Sequence, residues 1–271
     1  MRRLGATPFA FPDFSGATRR LVLVNLVAYF VLLVVQLAFR DSAGALIEQL
    51  MLIPSQFLSG SLWQPLTYSL IHPGLLGTLL ELLSLWFLAS FLEMSHGGNW
   101  VMGLYAASVL GTALTAAAIY IVSGTFGAAL HEVPLYGCVG GIFGLLIAIG
   151  VLHGDVEFLF MFLIGMKAKY MAAIYALIAF AMIFGEQRMY AFAQLGGALA
   201  GLLYIRLVPK RGFSFYFSEG WFGLRNRYYR WKRRKAAKKF EVYMRKQGRT
   251  VRFDGQGRLI DEDQDDKKRW N

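Results

Sequence analysis

One cysteine, Cys138, stands in 271 residues. That excludes an intrachain disulfide, and by spacing it offers no cysteine-based metal site. The four histidines are equally sparse. None of His72, His96, His131 and His153 has metal-ligand spacing, so no metal and no cofactor is expected from the sequence. Charge is scarce as well: Asp, Glu, Lys and Arg make up 17% of the chain, against about 25% in soluble domains. Hydrophobic residues reach 56% and mean hydropathy is +0.45. The apolar residues fall in long uncharged runs, which excludes an ordinary soluble core and marks a membrane protein.

Net charge is missing from most of the chain. Residues 1–208 carry nine basic and nine acidic residues, so the whole +11 net charge lies in 209–271. Six segments predict membrane-crossing helices: Leu21–Phe39, Leu75–Glu93, Trp100–Val122, Gly137–His153, Tyr170–Phe184 and Met189–Val208. The first ends on Arg40 and Asp41 and reads as a retained span rather than a cleaved signal. Hydrocarbon requires helices, because no water is present there to satisfy backbone polar groups. Six spans put both ends on one side. That side collects Arg2, Arg3, Arg19, Arg20, Lys167, Lys169 and the tail, and the excess of Lys and Arg marks it as cytoplasmic. The expected location is a multi-pass integral membrane protein with both termini cytoplasmic, in the inner or plasma membrane if the source is bacterial.

Residues 43–74 are too long for a simple turn and predict short helices in the outer interface. The apolar stretch Phe158–Ile164 is too short to span and predicts an interfacial or re-entrant piece. The expected divisions are a cytoplasmic segment 1–20, a membrane domain 21–208 and a basic cytoplasmic tail 209–271. In the tail, 221–247 holds eleven Lys and Arg among Trp, Tyr and Phe and predicts a basic helix. A small hairpin is expected at 250–260, followed by an acidic, disordered end.

Three stretches carry a family resemblance. They are WQPLTYSLIHPGLLGTLLELLSLWFLASFLE (63–93), YGCVGGIFGLL (136–146) and YAFAQLGGALAGLLY (190–204). Together with KAKY they resemble the rhomboid family of intramembrane serine proteases over roughly residues 20–208. The resemblance implies an all-α bundle of six transmembrane helices followed by the basic tail. It also implies a serine in the fourth span that attacks a peptide carbonyl, a histidine in the sixth that takes its proton, and a histidine and asparagine in the second that stabilise the oxyanion. Aligned on the glycines, the nucleophile position is Val139 and the base position is Gln194. The span-two pair falls on Gly77 and Glu81, and the outer-loop arginine on Gln64. Valine has no nucleophile, a glutamine amide is no base near neutral pH, and an ionised Glu81 would repel an oxyanion.

What the resemblance leaves in place is packing. Gly137, Gly140, Gly141 and Gly144 in the fourth span, and Gly197 and Gly201 in the sixth, have the spacing that lets helices approach closely in lipid. An intramembrane carboxylate such as Glu81 is a functional candidate by default, with Gln194 as its expected partner. Cys138 and His72 complete the candidate cavity, Cys138 as a buried small residue and His72 as a loop hydrogen-bonding group.

The expected function is therefore non-catalytic: a rhomboid-like protein that binds transmembrane segments of client proteins in the bilayer without cleaving them. The alternatives are an unorthodox intramembrane serine-type endopeptidase and a proton or solute pathway through Glu81. The partners expected are the lipid bilayer, client transmembrane segments, and anionic lipid at Arg230, Lys232, Arg233, Arg234 and Lys235; no nucleic acid is expected.

Overall fold

In a computed structural model, residues 12–40, 42–72, 74–125, 132–160, 164–208, 213–248 and 253 are described. The chain divides into two compact units, residues 1–213 and 214–271. The first holds α1 (Gly16–Ala38), α2 (Ala43–Leu50), α3 (Pro54–Leu58), α4 (Gln64–Thr67), α5 (Gly74–His96), α6 (Gly98–Thr125), α7 (Val139–Leu152), β1 (Glu157–Phe160), β2 (Ile164–Lys167), α8 (Ala168–Met182) and α9 (Arg188–Leu207). A 3₁₀ turn, Tyr68–Leu70, follows α4.

Four of these helices, α1, α5, α6 and α9, are long and apolar enough to cross a membrane. Helices α7 and α8, where two further spans were expected, are shorter, with 14 and 15 residues. At 1.5 Å per residue, 14 residues reach about 21 Å of the roughly 30 Å of hydrocarbon. α7 is shorter than its apolar run because Gly137 and Cys138 are not helical. Gly137 holds φ +93°, a left-handed conformation that only glycine adopts without strain.

Helices α6, α7 and α9 form the centre. A methyl group added at Gly201 would lie 2.7 Å from the Cα of Gly144, and one at Gly197 would lie 2.8 Å from the carbonyl oxygen of Gly140. Gly140, Gly141 and Gly144 face Thr112, Tyr105 and Ser108 of α6. The backbones thus touch where side chains are missing, the close approach that drives helix association in lipid. Gly137 plays a different part from the packing role expected of it: it precedes α7 and lies against the Glu81 carboxylate.

α1 packs on α5, and Glu93 joins them. Its carboxylate accepts hydrogen bonds from the Ala17 amide (2.7 Å), the Thr18 amide (2.8 Å) and the Thr18 hydroxyl (2.7 Å). These satisfy donors left open at the first turn of α1. Gly97, at φ +84°, then closes α5 with its amide on the Glu93 carbonyl (2.9 Å), a common helix ending.

The segment 42–72 between α1 and α5 consists of short helices, as expected, and is tied down by side chains. Gln64 is fully buried. It accepts from the Ile53 amide (3.1 Å) and donates to Gln56 Oε1 (2.9 Å). Tyr68 donates its hydroxyl to the Val109 carbonyl on α6 (2.9 Å). Glu132 accepts from the amide and hydroxyl of Ser55 at the start of α3 (2.7 and 3.0 Å).

Around the expected short piece at 158–164, the described residues Glu157–Phe160 and Ile164–Lys167 form a strand pair in an otherwise helical chain. The pair is antiparallel, and in it Glu157 faces Lys167 and Phe158 faces Met166. A strand pair satisfies backbone groups locally in a segment too short for a spanning helix. Phe158 and His153 both meet the ring of Phe91 edge-on (4.9 and 5.1 Å), and Asp155 accepts from Lys169 at 2.8 Å.

α10 runs Phe213–Lys246, all but its first residue in the second unit. It begins about eight residues before the expected start at 221, because the aromatic stretch 213–220 continues the helix. From Arg225 onward its basic residues are exposed. Lys235 sits over the Trp231 ring at 5.1 Å, one helical turn away. The expected hairpin and acidic end lie outside the described residues, save Phe253.

Candidate functional site

The sequence placed the candidate cavity between the second, fourth and sixth spans, and two different polar places are found there. The first lies between α7 and α9. Tyr68, Thr112, Gly137, Gly140, Tyr190 and Gln194 line a cavity of about 10 Å³, room for roughly one water. Gln194, at the expected base position, is 7% exposed and stands one helical turn from Tyr190 on α9. Val139, at the expected nucleophile position, is the first residue of α7. It packs against the apolar group of Phe143, Ala179 and Ala198. Neither position places an attacking atom or a neutral-pH base at this cavity.

The second place lies at the heads of α5 and α7. Glu81 was expected to pair with Gln194. Its carboxylate instead accepts from Cys138, through the amide at 3.3 Å and the thiol at 3.4 Å, both on Oε2. The same oxygen lies 3.6 Å from His72 Nε2. The physical reason is the bend at Gly137, which brings the Cys138 amide and thiol to the Glu81 carboxylate; Gln194 lines the neighbouring cavity, which shares Gly137. Cys138 is fully buried, as expected, but its neighbour is a carboxylate rather than a wholly apolar shell.

His72 makes the expected loop hydrogen bond, with Nδ1 3.1 Å from the Leu70 carbonyl. Its side chain has 0% exposure, and burial pushes the imidazole below the ordinary histidine range. Gly77, the other expected span-two position, lies half-buried on α5, one turn before Glu81.

Spacing alone gave no sign of metal ligands. The fold nevertheless brings three ligand-type side chains together. Ligand atoms of His72, Glu81 and Cys138 lie within 4.8 Å of one another. The signal in the sequence was the resemblance itself, which set residue 81 opposite residue 139 and therefore beside residue 138. Tyr68, Tyr105 and Thr112, which fill the space around α7, were missed because buried aromatic and hydroxyl residues in a span look like any other packing residue. His96 and His153 take ordinary places, His96 against Trp100 at 4.4 Å and His153 against Phe91. His131 lies outside the described residues.

Long apolar helices around a small buried polar interior define a polytopic helical integral membrane protein. Residues 19–213 match the family model described as Eukaryotic integral membrane protein (DUF1751), and the chain belongs to that family. No curated protein matches the chain.

Proposed function

We propose that this chain is a rhomboid-like, non-catalytic membrane protein that holds transmembrane segments of client proteins against its lateral apolar faces. The observation that carries the reading is the combination at α7 and α9. The helix-to-helix contact through Gly144 and Gly201 is retained, while the positions for a nucleophile and a base hold Val139 and Gln194 around a cavity of about 10 Å³. Acyl transfer by this route needs a nucleophile and base within hydrogen-bond reach and room for a peptide carbonyl. What remains is a scaffold with large apolar side chains facing outward, among them Leu75 and Leu76 on α5 and Leu177 and Phe180 on α8.

In this reading α7 and α8 complete six crossings, both termini are cytoplasmic, and α10 offers Arg230, Lys232, Arg233, Arg234 and Lys235 to anionic lipid. Attraction of about 1 kcal/mol for each basic residue near the surface supports that role.

The test uses the full chain in liposomes with a model single-span substrate. A photo-crosslinking residue at Leu76 or Leu177 should capture the substrate intact, and a serine-reactive fluorophosphonate should leave the protein unlabelled. Cleavage of the substrate would overturn the proposal. So would capture no greater than that by an unrelated polytopic protein.

A further inference from the structure

His72, Glu81 and Cys138 come from three separate elements: the segment 42–72, α5 and the turn before α7. Their atoms meet in an arrangement that stays incomplete while Glu81 is ionised and His72 neutral. The Leu70 carbonyl can only accept, so the hydrogen of a neutral His72 ring sits on Nδ1, 3.1 Å from that oxygen. Nε2 is then a bare lone pair. It is buried and has no hydrogen-bond partner, yet it faces Glu81 Oε2 at 3.6 Å. Two acceptors face each other, and the thiol hydrogen of Cys138, donated to that same oxygen, cannot serve both. Such a pair needs either a proton or a metal cation between its members. Among the described residues no Lys or Arg pairs with Glu81; the one basic group within 4.0 Å is His72 itself.

We propose that His72 Nε2, Glu81 Oε2 and Cys138 Sγ form a binding site for a borderline-soft divalent cation of the zinc type. Imidazole, carboxylate and thiolate are the three ligand classes such an ion takes. With metal–ligand bonds of about 2.0–2.3 Å, tetrahedral geometry puts the nitrogen–oxygen edge at about 3.4 Å and the sulfur–oxygen edge at about 3.6 Å. The corresponding separations are 3.6 Å and 3.4 Å, and the nitrogen–sulfur separation lies within 4.8 Å against about 3.6 Å for the third edge. The Nδ1–H donated to a backbone carbonyl is the outer contact that fixes a metal-binding histidine in the right tautomer. Gly137 leaves space for the carboxylate, since a methyl group there would lie 3.2 Å from Glu81 Oε1.

Charge balance favours the same occupant. A thiolate, a carboxylate, a neutral imidazole and a divalent ion sum to zero, so the site places no net charge inside the apolar bundle. Binding releases the thiol proton to solvent as the sulfur–metal bond forms, so affinity rises with pH. Three protein ligands leave a fourth tetrahedral position open, and the Glu81 side chain keeps 15% exposure through which an ion can enter. The ion would tie the segment 42–72 to α5 and α7. This inference needs no client and does not depend on the client-binding reading.

The experiment uses the full chain in detergent micelles, purified on a tag without histidine, stripped with chelator and titrated with Co²⁺ at about pH 7, where a metal-bound thiol is deprotonated. Near-ultraviolet absorption reports a cobalt–thiolate bond, and Cys138, as the sole cysteine, is its only possible source. The expected result is one equivalent of Co²⁺ per chain with that band, displaced by Zn²⁺. Cys138→Ser should lose the band, and His72→Gln should bind about tenfold or more weakly, each with unchanged helical circular dichroism. The wild-type band alone decides the matter if a variant fails to fold. Absence of the band with excess Co²⁺ would overturn the site and leave the cluster held by a proton. A spectrum and stoichiometry unchanged in Cys138→Ser would overturn it too, assigning the metal to surface groups.

Discussion

Replacing Glu93 by alanine removes one acceptor from three donors at once: the amides of Ala17 and Thr18 and the Thr18 hydroxyl. Ser15, in the N-cap position of α1, makes no side-chain capping bond, so Glu93 is the cap, supplied from another helix. Loss of a cap costs about 0.5–2 kcal/mol. Loss of a negative charge at the positive end of a helix adds about 0.3–1 kcal/mol. The carboxylate is only partly buried, and removing it opens the end of α1 from that side, so the lower half of the combined range is expected: about 1–2 kcal/mol. Glu93→Gln keeps one acceptor oxygen without the charge and should fall about midway. The loss should be local. In micelles, amide hydrogen exchange at residues 17–20 should quicken in Glu93→Ala while exchange in α9 stays unchanged, since local opening reports local stability. Reversible unfolding of Glu93→Ala, Thr18→Ala and the double variant should show a coupling of at least about 0.5 kcal/mol, as expected of residues in direct contact. Additive losses, or unchanged exchange at residues 17–20, would refute the capping argument.

Two other outcomes follow from the same kind of reasoning. Gly201→Val pushes a side chain into the α7 backbone at Gly144 and should destabilise by about 1–3 kcal/mol or more, read by the same unfolding; Gly124→Ala, where a methyl group meets nothing within 4 Å, should be neutral or slightly stabilising, and equal losses in both would show that the α7–α9 approach is not the cause. A peptide of residues 221–247 titrated with vesicles should bind only where anionic lipid is present, gain helicity and weaken with salt; equal binding to neutral vesicles would assign the anchoring to its aromatic residues.

Much of the fold could be read along the chain, because hydrocarbon imposes a rule that acts on composition alone: a long uncharged apolar run must be helical to satisfy its backbone. The positions of α1, α5, α6 and α9 follow from that rule. The short helices of 42–72 and the basic helix of the tail were legible from amphipathic and charge patterning instead, though the tail helix's start at Phe213 was not, since an aromatic run without charge pattern looks the same in a loop and in a helix. The absence of a nucleophile and base at residues 139 and 194 is likewise a matter of residue identity. The tertiary structure decided what depends on distance. It shortened α7 by bending the chain at Gly137, paired Glu157–Phe160 with Ile164–Lys167 as strands, and capped α1 with a carboxylate 75 residues away. It also set Cys138 and His72 beside the Glu81 carboxylate. Hydrophobic patterning specifies which segments are buried, but a polar group's partner is set by hydrogen bonds whose strength changes over a fraction of an ångström, and only the packed helices bring residues 72, 81 and 138 to that range.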